Sequence, residues 1–236
     1  MNTVNALKNL LLSWGVDWVL WLLGLLSILT LVLFVERLLY YRSSRGDVRE
    51  LAGRLDEHLA KSRHDKSLEL LDSARSVASS VAAAGLRLAG RGTESVREGM
   101  RSAIALERNR LQQRLNYLGT IGNNAPYIGL FGTVIGVIHA FEVLGQGHAE
   151  GGSGATQVAS ETVMFAVAEA LVATAAGIFV AIPAVAAFNY LQRRSVEICS
   201  EAEVLSAMVL AYVSSDSESE LSTGSSQGGS SEERSK

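Results

Sequence analysis

Three apolar stretches, each long enough to cross a lipid bilayer, constrain this chain more than any other feature. The first runs from Val16 to Tyr40, about 25 residues, where a helix needs about 20 to cross roughly 30 Å of hydrocarbon. The second covers Gly119 to Leu144 and the third Thr162 to Tyr190. The chain of 236 residues also carries 21 Lys and Arg and 24 Asp and Glu, yet 48% of it is apolar and its mean hydropathy is +0.21. The apolar residues are therefore gathered into blocks. Trp14, Trp18 and Trp21 open the first block and Tyr40 and Tyr41 close it, as expected for aromatic belts at the two bilayer interfaces. Lys8 precedes that block as in a signal peptide, but the block is too long for one and no small-residue cleavage site follows. It reads as a retained span, and the chain as an all-α membrane protein.

Charge orients the spans. Fifteen Lys and Arg lie between Arg42 and Arg114, whereas the Gly-rich loop Gly145–Gly154 holds none. Basic residues close to span ends mark the cytoplasmic side, and Arg42, Arg45, Arg49, Arg108, Arg110, Arg114, Arg193 and Arg194 agree; Lys8 alone dissents. The expected order is an outside N-terminal segment (1–13), span one (14–41), a cytoplasmic helical domain (42–118) and span two (119–144). A periplasmic loop (145–161), span three (162–190), a cytoplasmic helical end (191–213) and a disordered tail (214–236) follow. The tail is Ser, Gly and Glu with almost nothing apolar to offset the entropy of ordering.

In the cytoplasmic domain, Val48, Leu51, Leu55 and Leu59 form one helical stripe, and Leu68, Leu71, Ala78 and Val81 another. A capping box from Ser95 to Glu98 is expected to start a third helix. Its stripe Met100, Ile104, Leu111, Leu115 and Leu118 keeps helical spacing, which predicts one uninterrupted helix from the cytoplasm into span two.

Glu169 is the most informative polar residue. It lies about seven residues inside span three, roughly 10 Å deep at 1.5 Å per residue. A carboxyl at depth normally faces a bundle interior or a wet cavity and marks a functional path; the alternative is a hydrogen bond to a neighbouring helix that only holds packing register. Thr133 and Thr174 lie at a matching depth near 17 Å. Facing a shared lumen they would form a polar belt; alternatively each hydroxyl bonds a carbonyl of its own helix. Gly129, Gly132, Gly136 and Ala140 in span two, and Ala170, Ala173, Gly177, Ala181 and Ala184 in span three, predict a closely packed hairpin and subunit contacts. Pro126 and Pro183 each remove a helical hydrogen bond near the cytoplasmic edge, which serves either a vestibule or packing.

Other chemistries find little support. The Gly-rich run has no preceding strand and no following Lys-Ser or Lys-Thr pair, so it is not a phosphate loop. His58, His64, His139 and His148 lack metal-ligand spacing, and no Ser, His and Asp set presents itself, so neither a cofactor nor an enzyme is expected. Cys199 is the single cysteine, which excludes an intramolecular disulfide. A net charge of −3, with no basic face interleaved with aromatics, argues against nucleic acid.

Two strings carry a resemblance. Ala125-Pro126-Tyr127-Ile128-Gly129-Leu130-Phe131-Gly132-Thr133-Val134-Ile135-Gly136 is one. Ala168-Glu169-Ala170-Leu171-Val172-Ala173-Thr174-Ala175-Ala176-Gly177, followed by Ala181-Ile182-Pro183-Ala184-Val185 and Asn189-Tyr190, is the other. They resemble the ExbB/TolQ proton-channel family, relatives of the flagellar stator protein MotA. The resemblance runs from about Leu118 to Arg194; the cytoplasmic segment and the tail carry none. It departs at Phe165-Ala166, where the family usually has Pro-Gly.

The resemblance implies a pentamer in a bacterial inner membrane, N-terminus periplasmic and C-terminus cytoplasmic. Spans two and three would line a pore around the single helices of an ExbD/TolR-type partner bearing an essential Asp. Glu169, Thr133 and Thr174 would be the pore-lining polar residues near that Asp. Proton flow would drive work, passed on through a TonB- or TolA-type protein for outer-membrane transport or envelope processes. A stator of surface gliding, or a non-conducting scaffold, would be the alternatives, and sodium the alternative ion.

Overall fold

The computed structural model describes the backbone of residues 17–43, 46–61, 63–149 and 153–232, and the side chains of 17–42, 46–61, 63–145 and 160–216. The expected N-terminal segment 1–13, and Trp14 with it, lies outside these residues. The described elements are helical: α1 (Asp17–Ser43), α2 (Val48–Ala60), α3 (His64–Ser73), α4 (Val77–Leu86), a 3-10 turn (Ala89–Arg91), α5 (Thr93–Gln112), α6 (Leu115–Ala149) and α7 (Ser153–Glu232). Three of them are long and apolar enough to cross a membrane, over Asp17–Arg42, Leu115–Gly145 and Ser160–Asp216. The chain divides into two compact units, Met1–Arg37 with Arg114–Leu191, and Leu38–Gln113 with Gln192–Lys236.

The first unit is a three-helix packing of α1, α6 and the first part of α7. Its core joins Val19 and Leu23 of α1 to Ile121, Ala125 and Ile135 of α6 and Ala173, Val180, Ala181 and Ala184 of α7. Small residues set the approach of α6 to α7. A Cβ added at Gly129 would fall 2.7 Å from the carbonyl oxygen of Ala173, and one at Gly177 would fall 2.7 Å from that of Ala125. At Gly136 it would lie 2.5 Å from the Cβ of Ala170, and at Gly132 2.7 Å from that of Ala173. The small-residue reading of both spans is thus realised as backbone-to-backbone contact. Pro126 and Pro183 both lie inside continuous helices.

The second unit has an ordinary apolar core. Leu51, Leu55 and Leu59 of α2 are buried as their spacing predicts, with Leu71, Val81, Val96, Met100, Leu111, Leu205 and Val209. Asp47 caps α2 by accepting from the backbone N–H groups of Arg49 and Glu50. The Tyr41 hydroxyl donates to the carbonyl of Leu111 at 2.7 Å.

Several boundaries differ from expectation. The stripe Leu68–Val81 belongs to two helices, split at Ala74-Arg75-Ser76 where Arg75 takes φ 43°. Ser76 caps α4 there and exchanges bonds with Ser79 in a capping box, so the hydroxyl pair competes with continued helix. No such box forms at Ser95: α5 begins at Thr93 after Gly92, and the Ser95 hydroxyl instead donates back to the carbonyl of Arg91 at 3.1 Å. The helix expected to run on to Leu118 stops at Gln112, because Gln113 is extended (ψ 138°) and Arg114 is left-handed (φ 65°); Arg114 pairs with Glu36. The expected loop 145–161 is shorter in backbone terms, since α6 reaches Ala149 and α7 starts at Ser153. Scattered glycines cost a helix only about 1 kcal/mol each. Disorder expected from Ser214 is corrected at least to Asp216: Ser214 and Ser215 remain helical and donate to the carbonyls of Ala211 and Tyr212. The helical backbone extends to Glu232, and from residue 217 the tail's side chains lie outside those described.

Candidate functional site: the polar face of the membrane hairpin

Helix α1 covers one side of the α6–α7 hairpin. The Cγ1 of Val19 lies 3.2 Å from where a Cβ of Gly132 would stand, and Trp18 meets Phe131 edge-on at 6.2 Å. Further along, α1 and α7 line a cavity of about 570 Å³, with Ser27, Thr30 and Phe34 facing Val180, Pro183 and Ala187. Thr30 satisfies itself inside this contact by donating to the carbonyl of Leu26 at 2.8 Å.

Thr133 and Thr174 stand on the opposite side of the hairpin. At about 100° per residue, Thr174 lies about 180° around α7 from Pro183, nine residues on, and Thr133 lies about 100° around α6 from Gly132 and about 160° from Phe131, the two positions that meet α1. The Thr174 hydroxyl crosses the hairpin to the carbonyl of Gly129 at 3.3 Å, a contact possible only because neither Gly129 nor Gly177 carries a side chain. Thr133 donates to the carbonyl of Leu130 in its own helix at 2.6 Å, the intrahelical alternative. Each hydroxyl spends its one proton on a carbonyl, so its lone pairs remain to accept. Both threonines are half-buried, and the face they share with Leu130, Leu171 and Ile178 is one that α1 leaves open.

Glu169 is not on that face. It precedes Thr174 by five residues, which places it about 140° away around α7. It falls instead on the stripe of Ala176, Val180, Pro183 and Ala187, spaced 7, 11, 14 and 18 residues on, three of which line the cavity shared with α1. The three expected site residues therefore divide: two hydroxyls on the open face, one half-buried carboxyl on the flank toward α1. Among the described residues the Glu169 carboxyl makes no hydrogen bond or ion pair within the chain. Pro126 stands on the threonine side of α6 and Pro183 on the α1 side of α7.

This geometry defines a helical membrane protein built around a tightly packed, partly polar hairpin. Comparison with known proteins gives the family. The description "MotA/TolQ/ExbB proton channel family" matches residues 73–204, more than half of the chain, and the chain belongs to that family. The match starts at the end of α3 and takes in α4 and α5, so these helices share the family pattern that the resemblance confined to Leu118–Arg194. The chain is 43% identical over 102 residues to the Tol-Pal system protein TolQ of Pseudomonas aeruginosa, covering 43% of this chain and 41% of that one. It is 45% identical over 105 residues to TolQ of Haemophilus influenzae (43% and 42%). It is 47% identical over 94 residues to the biopolymer transport protein ExbB of Neisseria gonorrhoeae (40% and 39%). The matched stretch spans about two fifths of the length of each of these relatives.

Proposed function

We propose that this chain is the pore-forming subunit of a proton-driven motor in a bacterial inner membrane, with its N-terminus periplasmic and its C-terminus cytoplasmic. Several copies, five by family likeness, would set the open faces of their α6–α7 hairpins around a hydrated axis holding single-span helices of an ExbD/TolR-type partner. The observation that carries this reading is the pair Thr133 and Thr174. Both keep acceptor capacity, on the one side of the hairpin that α1 does not cover. A partner's protonated carboxyl would donate to these oxygens, and its ionised form would be hydrated beside them. Each charge crossing the membrane potential releases about 2.3 kcal/mol per 100 mV, to be passed to the partner helices and on to a TonB- or TolA-type protein. Glu169 belongs to the pathway by its chemistry, as an unpaired carboxyl among described residues within a span, and acts from the flank rather than from the belt.

The test is proton flux into liposomes holding this chain with its partner, together with the energised cellular process. Glu169→Ala and Thr174→Val abolish both while the oligomer still assembles. Full flux in both variants would refute the assigned roles.

A further inference from the structure

The open face of the hairpin carries two more polar side chains, and the belt does not account for them. Asn123 lies ten residues before Thr133 on α6, about 80° away around the helix, and Asn189 lies fifteen residues after Thr174 on α7, about 60° away. Both are exposed, and both turn to the side of the hairpin away from α1. They approach one another in depth: Gly122, beside Asn123, packs on Val185, while Gly119 packs on Phe188, beside Asn189. Thr133 and Thr174 are offset by the same single turn, through Gly132 on Ala173 and Gly129 on Thr174. The hairpin thus repeats one polar arrangement at two depths, about 15 Å apart along α6 and about 22 Å along α7.

The neighbouring amide supplies a contrast. Asn124, on the α1 side of α6, donates its Nδ2 to the carbonyl of Thr120 at 2.8 Å and is satisfied within its own helix. Among the described residues, Asn123 and Asn189 have no such partner. Pro126 adds to the deficit, since it offers no N–H to the carbonyl of Gly122 one turn back. A carboxamide without a partner is unfavourable in hydrocarbon and is found where water or another chain meets it.

We propose that Asn123 and Asn189 form a second, inner polar rung of one hydrated path, holding water on the cytoplasmic side of the threonine belt. This rests on the reading above that the open hairpin face lines a wet axis. Carboxamides neither take up nor release protons near neutral pH but both donate and accept hydrogen bonds. They would order the water by which a proton leaves the belt.

Thiol accessibility tests this in the full chain in lipid vesicles, because a water-soluble methanethiosulfonate reacts with hydrated thiolates and scarcely with thiols in acyl chains. The native Cys199 is buried and sets the background rate. Asn123→Cys and Asn189→Cys are expected to react at least tenfold faster than Leu25→Cys on the exposed side of α1, as is Thr174→Cys. If Thr174→Cys is fast while both asparagine positions match Leu25→Cys, the inner rung is wrong and the hydrated axis stands. If Thr174→Cys is also slow, the proposed function itself fails. A measurement without substitutions guards against misassembly: in water-edited solid-state NMR of the native chain, the side-chain amides of Asn123 and Asn189 polarise from water quickly and that of Asn124 slowly. Equal rates for all three would overturn the proposal.

Discussion

Replacing Gly129 by alanine probes the hairpin contact directly. The new methyl would lie 2.7 Å from the carbonyl oxygen of Ala173 and 3.1 Å from the Cα atoms of Gly177 and Thr174. All three are backbone atoms, so no rotamer change relieves the overlap and the helices must separate. Overpacking of this kind costs up to about 3 kcal/mol. Separation also breaks the bond from Thr174 to the Gly129 carbonyl, worth about 0.6 kcal/mol between membrane helices. Alanine returns about 1 kcal/mol in helix propensity. The net loss is about 2.5 kcal/mol, on the order of 70-fold in the unfolding equilibrium. Gly24→Ala in α1 meets nothing within 4 Å, so it keeps the propensity gain of about 1 kcal/mol. The two substitutions have opposite signs. SDS titration of the purified chain in mixed micelles, followed by near-ultraviolet circular dichroism, measures both. A Gly129→Ala variant as stable as Gly24→Ala would refute the close-contact argument.

Two further outcomes concern Arg114 and Glu57. Arg114→Gly is tolerated, because relief of a left-handed backbone, about 1 kcal/mol, roughly offsets an exposed ion pair to Glu36 worth about 0–1 kcal/mol, whereas Arg114→Val destabilises in the same denaturation assay. The hydrogen bond from Lys61, and then its charge, hold the Glu57 carboxyl below the ordinary glutamate value. A carboxyl whose folded pKa is depressed adds stability above its unfolded pKa and loses it as pH falls through the folded one. Lys61→Met should therefore move the NMR titration of Glu57 upward, and a titration that does not move would exclude Lys61 as the cause.

The spans were legible because length and hydropathy are properties of composition over about 20 residues, and the stripe Leu51, Leu55 and Leu59 because core-facing positions repeat at helical spacing. The break at Gln113-Arg114 was not. Neither residue is a helix breaker, and an arginine in the left-handed region gives no local signal; tertiary context holds it there. The split before Val77 did leave a mark, since Ser76 and Ser79 stand at cap spacing, but the apolar stripe across it is stronger than the cap. At the site, counting residues from the span edges put Thr133 and Thr174 at about 17 Å and Glu169 at about 10 Å, and the packing offsets the two threonines by one turn. Depth ignores azimuth, and five residues carry a side chain well past a quarter turn. Asn123 drew no attention because an amide in a span stands out less than a carboxylate, and Asn189 entered only as part of the resembling string. What distinguishes them is the missing partner, which only the packing reveals.

The mutual contact of Gly129 and Gly177 has an evolutionary consequence. Ordinarily an enlarged residue in a packed pair is rescued when its partner shrinks, and the two positions drift together. Here both members already have the smallest side chain there is, so neither can make room for the other. A suppressor of growth at one position must arise elsewhere, in residues that let one helix slide or tilt along its neighbour. Where such suppressors map would trace the directions in which this hairpin is able to move.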